Sequence, residues 1–175
     1  KSPESLYNIE EDPHETTNLA NDIAYNDILI TMREDLNNHL MSINDLSFLP
    51  EPYFLKSGID DVVEYSAQNK TLIKKLIETS NLQLKDYDEV SSQIKNALND
   101  DNPWVRYWGL IVCSSFGSKA IENKEKINVI FENDSENLVR MRAAEFMLLN
   151  DIELSDSKIN SLLKRSNFEA EANLM

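Results

Sequence analysis

The sequence predicts an all-α fold, and three observations carry that prediction. Only 3 of its 175 residues are Gly and 5 are Pro, too few for an all-β chain built on tight turns. Apolar residues recur at intervals of three and four along most of the chain, the spacing of one face of an α-helix. A motif near residue 105 occurs again near residue 139, an interval close to the periods of helical repeat proteins.

The elements follow in order. Leu6, Tyr7 and Ile9 form a short apolar run that reads as a strand, with no evident partner in the chain; an isolated strand is marginal in water. Asp12-Pro13-His14-Glu15 has a capping residue, a Pro suited to the first helical position and a carboxylate placed for a capping box, so one helical turn is expected. Tyr25, Ile28, Leu29, Met32, Leu36, Leu40 and Ile43 form the stripe of a long amphipathic helix. Pro50-Glu51-Pro52 interrupts the pattern and places a boundary near residue 52. The chain divides there into 1–52, a short strand, loop and helix, and 53–175, a helical repeat domain.

Beyond the boundary, Ile59–Gln68 and Lys70–Ser80 read as helices. Asp88 is placed to cap a third that runs to Asn99, with Val90, Ile94, Ala97 and Leu98 inward. Asn102 caps the next, with Pro103 at its first position and Gly117 just past its end. Asp101-Asn-Pro-Trp-Val105-Arg106 is echoed by Asp134-Ser-Glu-Asn-Leu-Val139-Arg140, the two valines 34 residues apart. Gly109, Ala143 and Ala144 are small enough for neighbouring helices to approach closely. Ser155–Arg165 is expected to open a third repeat and Phe168–Met175 to begin its second helix, a repeat cut short.

Charge excludes several functions. The formal net charge is −14; Lys1–Pro52 holds eleven acidic and two basic residues, and the remainder twenty and fifteen. Such a surface repels phosphate backbones and anionic membranes, and no basic stripe offsets it. No run approaches the ~18 apolar residues of a membrane span. Cys113 is the single cysteine, which rules out an internal disulfide and a thiolate cluster.

Few residues offer chemistry. His14 and His39 lie far apart, outside any metal-binding spacing. The acidic pairs at Asp60-Asp61, Asp100-Asp101 and Glu10-Glu11-Asp12 read as helix-dipole partners rather than as a calcium site, which needs oxygens converging from separate elements. No catalytic, cofactor or metal residue is assigned. Trp104, Arg106, Tyr107 and Trp108 remain as candidate partner-binding residues, since aromatics and Arg are enriched at binding hot spots. Packing is the favoured reading, because Trp104 and Trp108 lie four apart on one helical face and large aromatics are mostly buried.

Two resemblances extend this reading. Leu6-Tyr7-Asn8-Ile9-Glu10-Glu11-Asp12-Pro13-His14-Glu15, followed by Asn18-Leu19-Ala20, resembles the segment that closes the C-terminal subdomain of type I sulfatases. Asp45-Leu46-Ser47-Phe48-Leu49-Pro50-Glu51 resembles the end of that family's tail, with Ser47 where Gly is often seen. The resemblance covers Ser5–Glu51. It implies a chain from the C-terminal part of a secreted or periplasmic hydrolase that cleaves sulfate esters or sulfamates, on a saccharide. Its active site and calcium ion are expected in an upstream catalytic domain, which would also be this segment's partner. That family's formylglycine arises within Cys/Ser-x-Pro-x-Arg. In Cys113-Ser114-Ser115-Phe116-Gly117 the Pro and Arg positions hold Ser115 and Gly117, so Cys113 reads as a core thiol.

The paired motif, over roughly Val90–Leu149, resembles HEAT repeats and implies a HEAT or armadillo-like α-α superhelix. In HEAT repeats the Asp and Arg link adjacent units while the Val packs inside. Here Gly109 stands for Ala in the first copy, and Asp134 lies one residue early in the second. The alternative to a sulfatase segment is an independent HEAT-repeat scaffold that binds a protein partner.

Overall fold

The computed structural model describes residues 3–165, and every regular element among them is helical. A 3-10 turn capped by Asp22 leads into α1 (Asn26–Ile43). Then follow α2 (Glu51–Ser57), α3 (Val62–Gln68), α4 (Lys70–Ser80), α5 (Tyr87–Leu98) and α6 (Pro103–Phe116). A 3-10 stretch, Gly117–Asn123, precedes α7 (Lys124–Asn133), α8 (Asn137–Leu149) and α9 (Asp156–Arg165).

Helix α6 is the centre of the array. It packs between α4 and α8, with α5 laid on α6 and α7 and α9 laid on α8. The core runs through these helices without a break, from Leu76 through Ile94, Leu98, Val105 and Leu110 to Ile127, Val139 and Phe146. Each of these apolar side chains contributes about 1.5–3 kcal/mol by leaving water. Val105 and Val139 are both inside, as the repeated motif requires. Helix α1 flanks the array on the α4 side, where Asn81 donates to the Asn37 side chain at 3.0 Å.

The local signals around α6 match the structure closely. Asn102 accepts the Trp104 N–H at 2.9 Å, Pro103 opens the helix, and Gly117 ends it at φ +56. A side chain at that φ is strained, whereas Gly adopts it freely. The close approach of α5 and α6 depends on Gly109. A Cβ there would lie 3.1 Å from that of Ala97, closer than two carbons pack without movement.

Four local expectations are corrected. Leu6–Ile9 is not a strand. Leu6 is buried, its N–H donates to the Asn18 side chain at 3.0 Å, and its carbonyl accepts the Leu19 N–H at 2.8 Å. Backbone groups satisfied within one loop need no sheet. Second, Asp12 does not start a helix. It accepts the Thr16 hydroxyl and the Thr17 N–H, while Glu15 takes a left-handed φ of 52. Third, the expected helix Ile59–Gln68 begins only at Val62. Gly58 at φ +60 closes α2, and Asp61 caps α3 through the Glu64 N–H. Fourth, α5 starts at Tyr87, so Asp88 sits in its first turn rather than at its cap, where its charge still complements the helix dipole. Helix α9 spans the helix expected over Ser155–Arg165, while Phe168–Met175 lies outside the described residues.

Gly109→Val should cost about 2–3 kcal/mol by overpacking the α5–α6 contact, read as a lower melting temperature with helical content retained. An unchanged melting temperature would show that the contact is looser than described.

Candidate functional site

The candidate residues Trp104, Arg106, Tyr107 and Trp108 all lie on the first two turns of α6. Pro103 and the Asn102 cap fix where that helix starts, and so which way each side chain points. The aromatic side chains turn toward the protein. Trp104 and Tyr107 are buried and Trp108 is half-buried.

Their partners come from both neighbours of α6. On the N-terminal side, the Trp104 ring lies 4.8 Å from that of Tyr53 on α2. The Trp108 indole N–H donates to the Phe48 carbonyl at 2.7 Å, and the two rings stand 5.4 Å apart. On the other side, Arg142 of α8 donates to the Tyr107 hydroxyl at 2.8 Å and sits 5.0 Å over its ring. Tyr107 meets Trp104 and Trp108 edge-on, the favoured arrangement of aromatic quadrupoles. The cluster therefore joins the Leu46–Tyr53 segment to α6, and α6 to α8.

Arg106 spends its guanidinium on structure. Nε and Nη2 donate to the two carboxylate oxygens of Asp134, at 2.7 and 2.8 Å. Nη1 donates to the carbonyls of Asp100 and Asp101, at 2.7 and 3.0 Å. These carbonyls follow the end of α5. The side chains of Arg106 and Asp134 keep only 14% and 3% of their exposure, and the fork-to-fork geometry is the strong form of an Arg–carboxylate pair. Asp134 also accepts the Glu136 N–H at 3.0 Å, just before α8 begins. Arg140 is buried in α8 and donates from Nε to the Phe131 carbonyl in the last turn of α7. Both arginines thus reach back to carbonyls at the end of the preceding helix.

The pairing also corrects the register of the repeat. Asp101, chosen from the motif, is exposed and offers Arg106 only its carbonyl. Asp100 is the true counterpart of Asp134. Its carboxylate accepts the Asn102 N–H at 3.0 Å and pairs with Lys75 of α4. So Lys75 on α4 serves Asp100 as Arg106 on α6 serves Asp134. Sequence reasoning missed Lys75 because its helix shows no copy of the motif. The common offset of five residues from Asp100 to Val105 and from Asp134 to Val139 was the signal available.

A second polar network ties α5 to the stretch before α7. Buried Asn123 donates to the Tyr87 hydroxyl, which donates to Glu122 at 2.8 Å; Glu122 also pairs with Lys95. Burial, with the Glu122 carboxylate adjacent, pushes the Tyr87 phenol up to about 12. Cys113 is fully buried in α6, and burial pushes its thiol up to about 12 from an ordinary 9.0. His14 and His39 are exposed. Among the described residues no group of three or more His, Cys, Asp or Glu side chains could hold a metal ion. No described helix is long and apolar enough to cross a membrane.

Comparison with models of known protein families, with curated proteins and with solved structures finds no match.

Two outcomes are expected. Asp134→Ala, which strips Arg106 of its carboxylate, should cost about 2–4 kcal/mol in chemical denaturation, as breaking a buried pair does. Asp101→Ala, which leaves the carbonyl in place, should cost under about 0.5 kcal/mol. Equal effects would remove the register assigned here. The raised Cys113 pKa means that the folded chain holds its thiol proton more tightly than the unfolded chain. The stability linked to this group is complete below pH 9 and is lost as pH rises from 9 toward 12. Melting temperature should therefore fall less steeply over that window in Cys113→Ala than in the natural chain. A thiol reagent that reacts at once with the folded protein at neutral pH would contradict the burial.

Proposed function

We propose that the chain is a non-catalytic C-terminal segment of a sulfatase, a sulfuric ester hydrolase acting on saccharides, and that it serves a packing or partner-binding role. On this reading the hydrolysis and the calcium it requires belong to an upstream catalytic domain, in a secreted or periplasmic protein. That domain is the segment's first partner.

The observation that carries the reading is the use made of the motif residues. Asn18 accepts the N–H groups of Leu6 and Ala20, Leu19 bonds back to Leu6, and Asp12 holds Thr16 and Thr17. The residues that produce the resemblance are thus the ones that close the loop from Leu6 to Ala20. This supports a motif kept for local architecture rather than a chance match of scattered letters. Buried Cys113 outside a formylglycine motif is in keeping with a non-catalytic role.

The second reading is an independent HEAT-like scaffold. The two successive cation–Asp ties, Lys75–Asp100 and Arg106–Asp134, favour it. They resemble the links between units of an α-α superhelix, an architecture that carries many unrelated functions.

The purified chain should not turn over a chromogenic aryl sulfate, with or without added calcium; hydrolysis above buffer would overturn the non-catalytic assignment. The gene decides between the two readings. A Cys/Ser-x-Pro-x-Arg motif encoded upstream in the same frame supports the sulfatase, and its absence leaves the scaffold.

A further inference from the structure

Helix α1 buries only half of its apolar stripe. The side with Leu29, Arg33, Asn37 and Leu40 is turned inward: Leu29 is buried, Arg33 pairs with Glu4, and Asn37 bonds to Asn81. The adjoining side carries Ile28, Met32, Leu36 and Ile43, which keep 51%, 56%, 56% and 52% of their exposure. Ile28, Met32 and Leu36 follow at four-residue steps and form one ridge, and Ile43 lies two turns further along the same face, beyond exposed His39. Scattered apolar residues on a surface mean little, but a continuous row marks an interaction site.

The free charge carried by this helix has one sign. Apart from Arg33, which is committed to Glu4, the charged residues of α1 are Asp27, Glu34 and Asp35, all exposed. The surrounding segment, Lys1–Pro52, carries eleven acidic and two basic residues. A second copy would bring like charges together, and an anionic membrane would be repelled in the same way. The complementary surface is apolar along its middle and basic along its edges.

We propose that the outer face of α1 is a docking site for an amphipathic helix whose apolar ridge is flanked by Lys and Arg. The apolar side chains would interleave with Ile28, Met32, Leu36 and Ile43, as in other helix-in-groove and helix-on-helix contacts. The basic edges would meet Asp27, Glu34 and Asp35, which set orientation and speed of encounter. This inference shares with the proposed function only the idea that the chain binds protein, and it stands without the sulfatase parentage.

The test uses the whole chain and two synthetic peptides of helical period, one of Leu and Lys and the other of Leu and Glu. The Leu/Lys peptide should bind, slow amide exchange along Asn26–Ile43, and bind less tightly at high salt. The Leu/Glu peptide should not bind. Met32→Ser with Leu36→Ser should weaken binding about tenfold or more, since two apolar contacts are lost, with the melting temperature nearly unchanged. Val62→Ser with Val63→Ser, another exposed apolar pair on α3, should leave binding intact. The exchange map needs no variant, so a substitution that unfolds the chain leaves the proposal testable. The docking site is overturned by any of four results: no binding of the Leu/Lys peptide, equal binding of both peptides, protection elsewhere than α1, or equal affinity in the Met32/Leu36 variant. Dimerisation of the chain abolished by the Met32/Leu36 changes would likewise overturn it, since a second copy would then be the occupant. Absence of the sulfatase motif upstream in the same frame would count against parentage alone.

Discussion

The array hangs on one guanidinium. Arg106 leaves the first turns of α6 and meets two backbone carbonyls after α5 and both oxygens of Asp134 before α8. Four donors of one rigid plane therefore set the position of three chain segments at once. A lysine could not do this, because an ammonium is a point charge without a fixed fork. The carbonyls that follow a helix have no partner within it and must find one elsewhere. Here one side chain both pairs with the carboxylate before α8 and finishes the backbone after α5. It ties α6 to the start of α8 at the edge of the apolar core that the two helices share.

The two flanks of α6 are sealed differently. Toward α8 the contact is charged and aromatic, with Arg106 on Asp134 and Arg142 on Tyr107. Toward the N-terminus it is the segment from Leu46 to Tyr53, a 3-10 turn leading into α2, that covers Trp104 and Trp108, and Leu49 is buried in the main core. That segment is therefore part of the array's packing rather than a connector beside it.

Much of this was legible in the sequence where local chemistry decides the outcome. Asn102, Pro103 and Gly117 marked the ends of α6 because cap, first-turn and left-handed positions each select a residue type. The bounds of α4 followed from its apolar spacing. What escaped depended on neighbours distant in sequence. Leu6 reads as a strand until Asn18 is seen to supply its partner twelve residues away. The spacing of the α6 aromatics favours packing over binding, but it does not say that Phe48 and Tyr53, more than fifty residues away, are what they pack against. Asp101 was preferred to Asp100 because a motif is matched by letters, whereas the protein matches by which carboxylate a cation on the previous helix can reach. On α1 the periodicity located the apolar stripe, but period alone does not say how much of a stripe is covered.

The placement of the two tryptophans has an optical consequence. The chain contains no others, and both indoles stand where residues 46–53 lie on the helical array. Intrinsic fluorescence of this protein is thus a local gauge of that seam. Far-ultraviolet dichroism, which averages over all helices, reports on the array as a whole. If the two signals part company during heating, the N-terminal segment has peeled away before the helices melt; if they coincide, the seam and the array unfold as one cooperative unit.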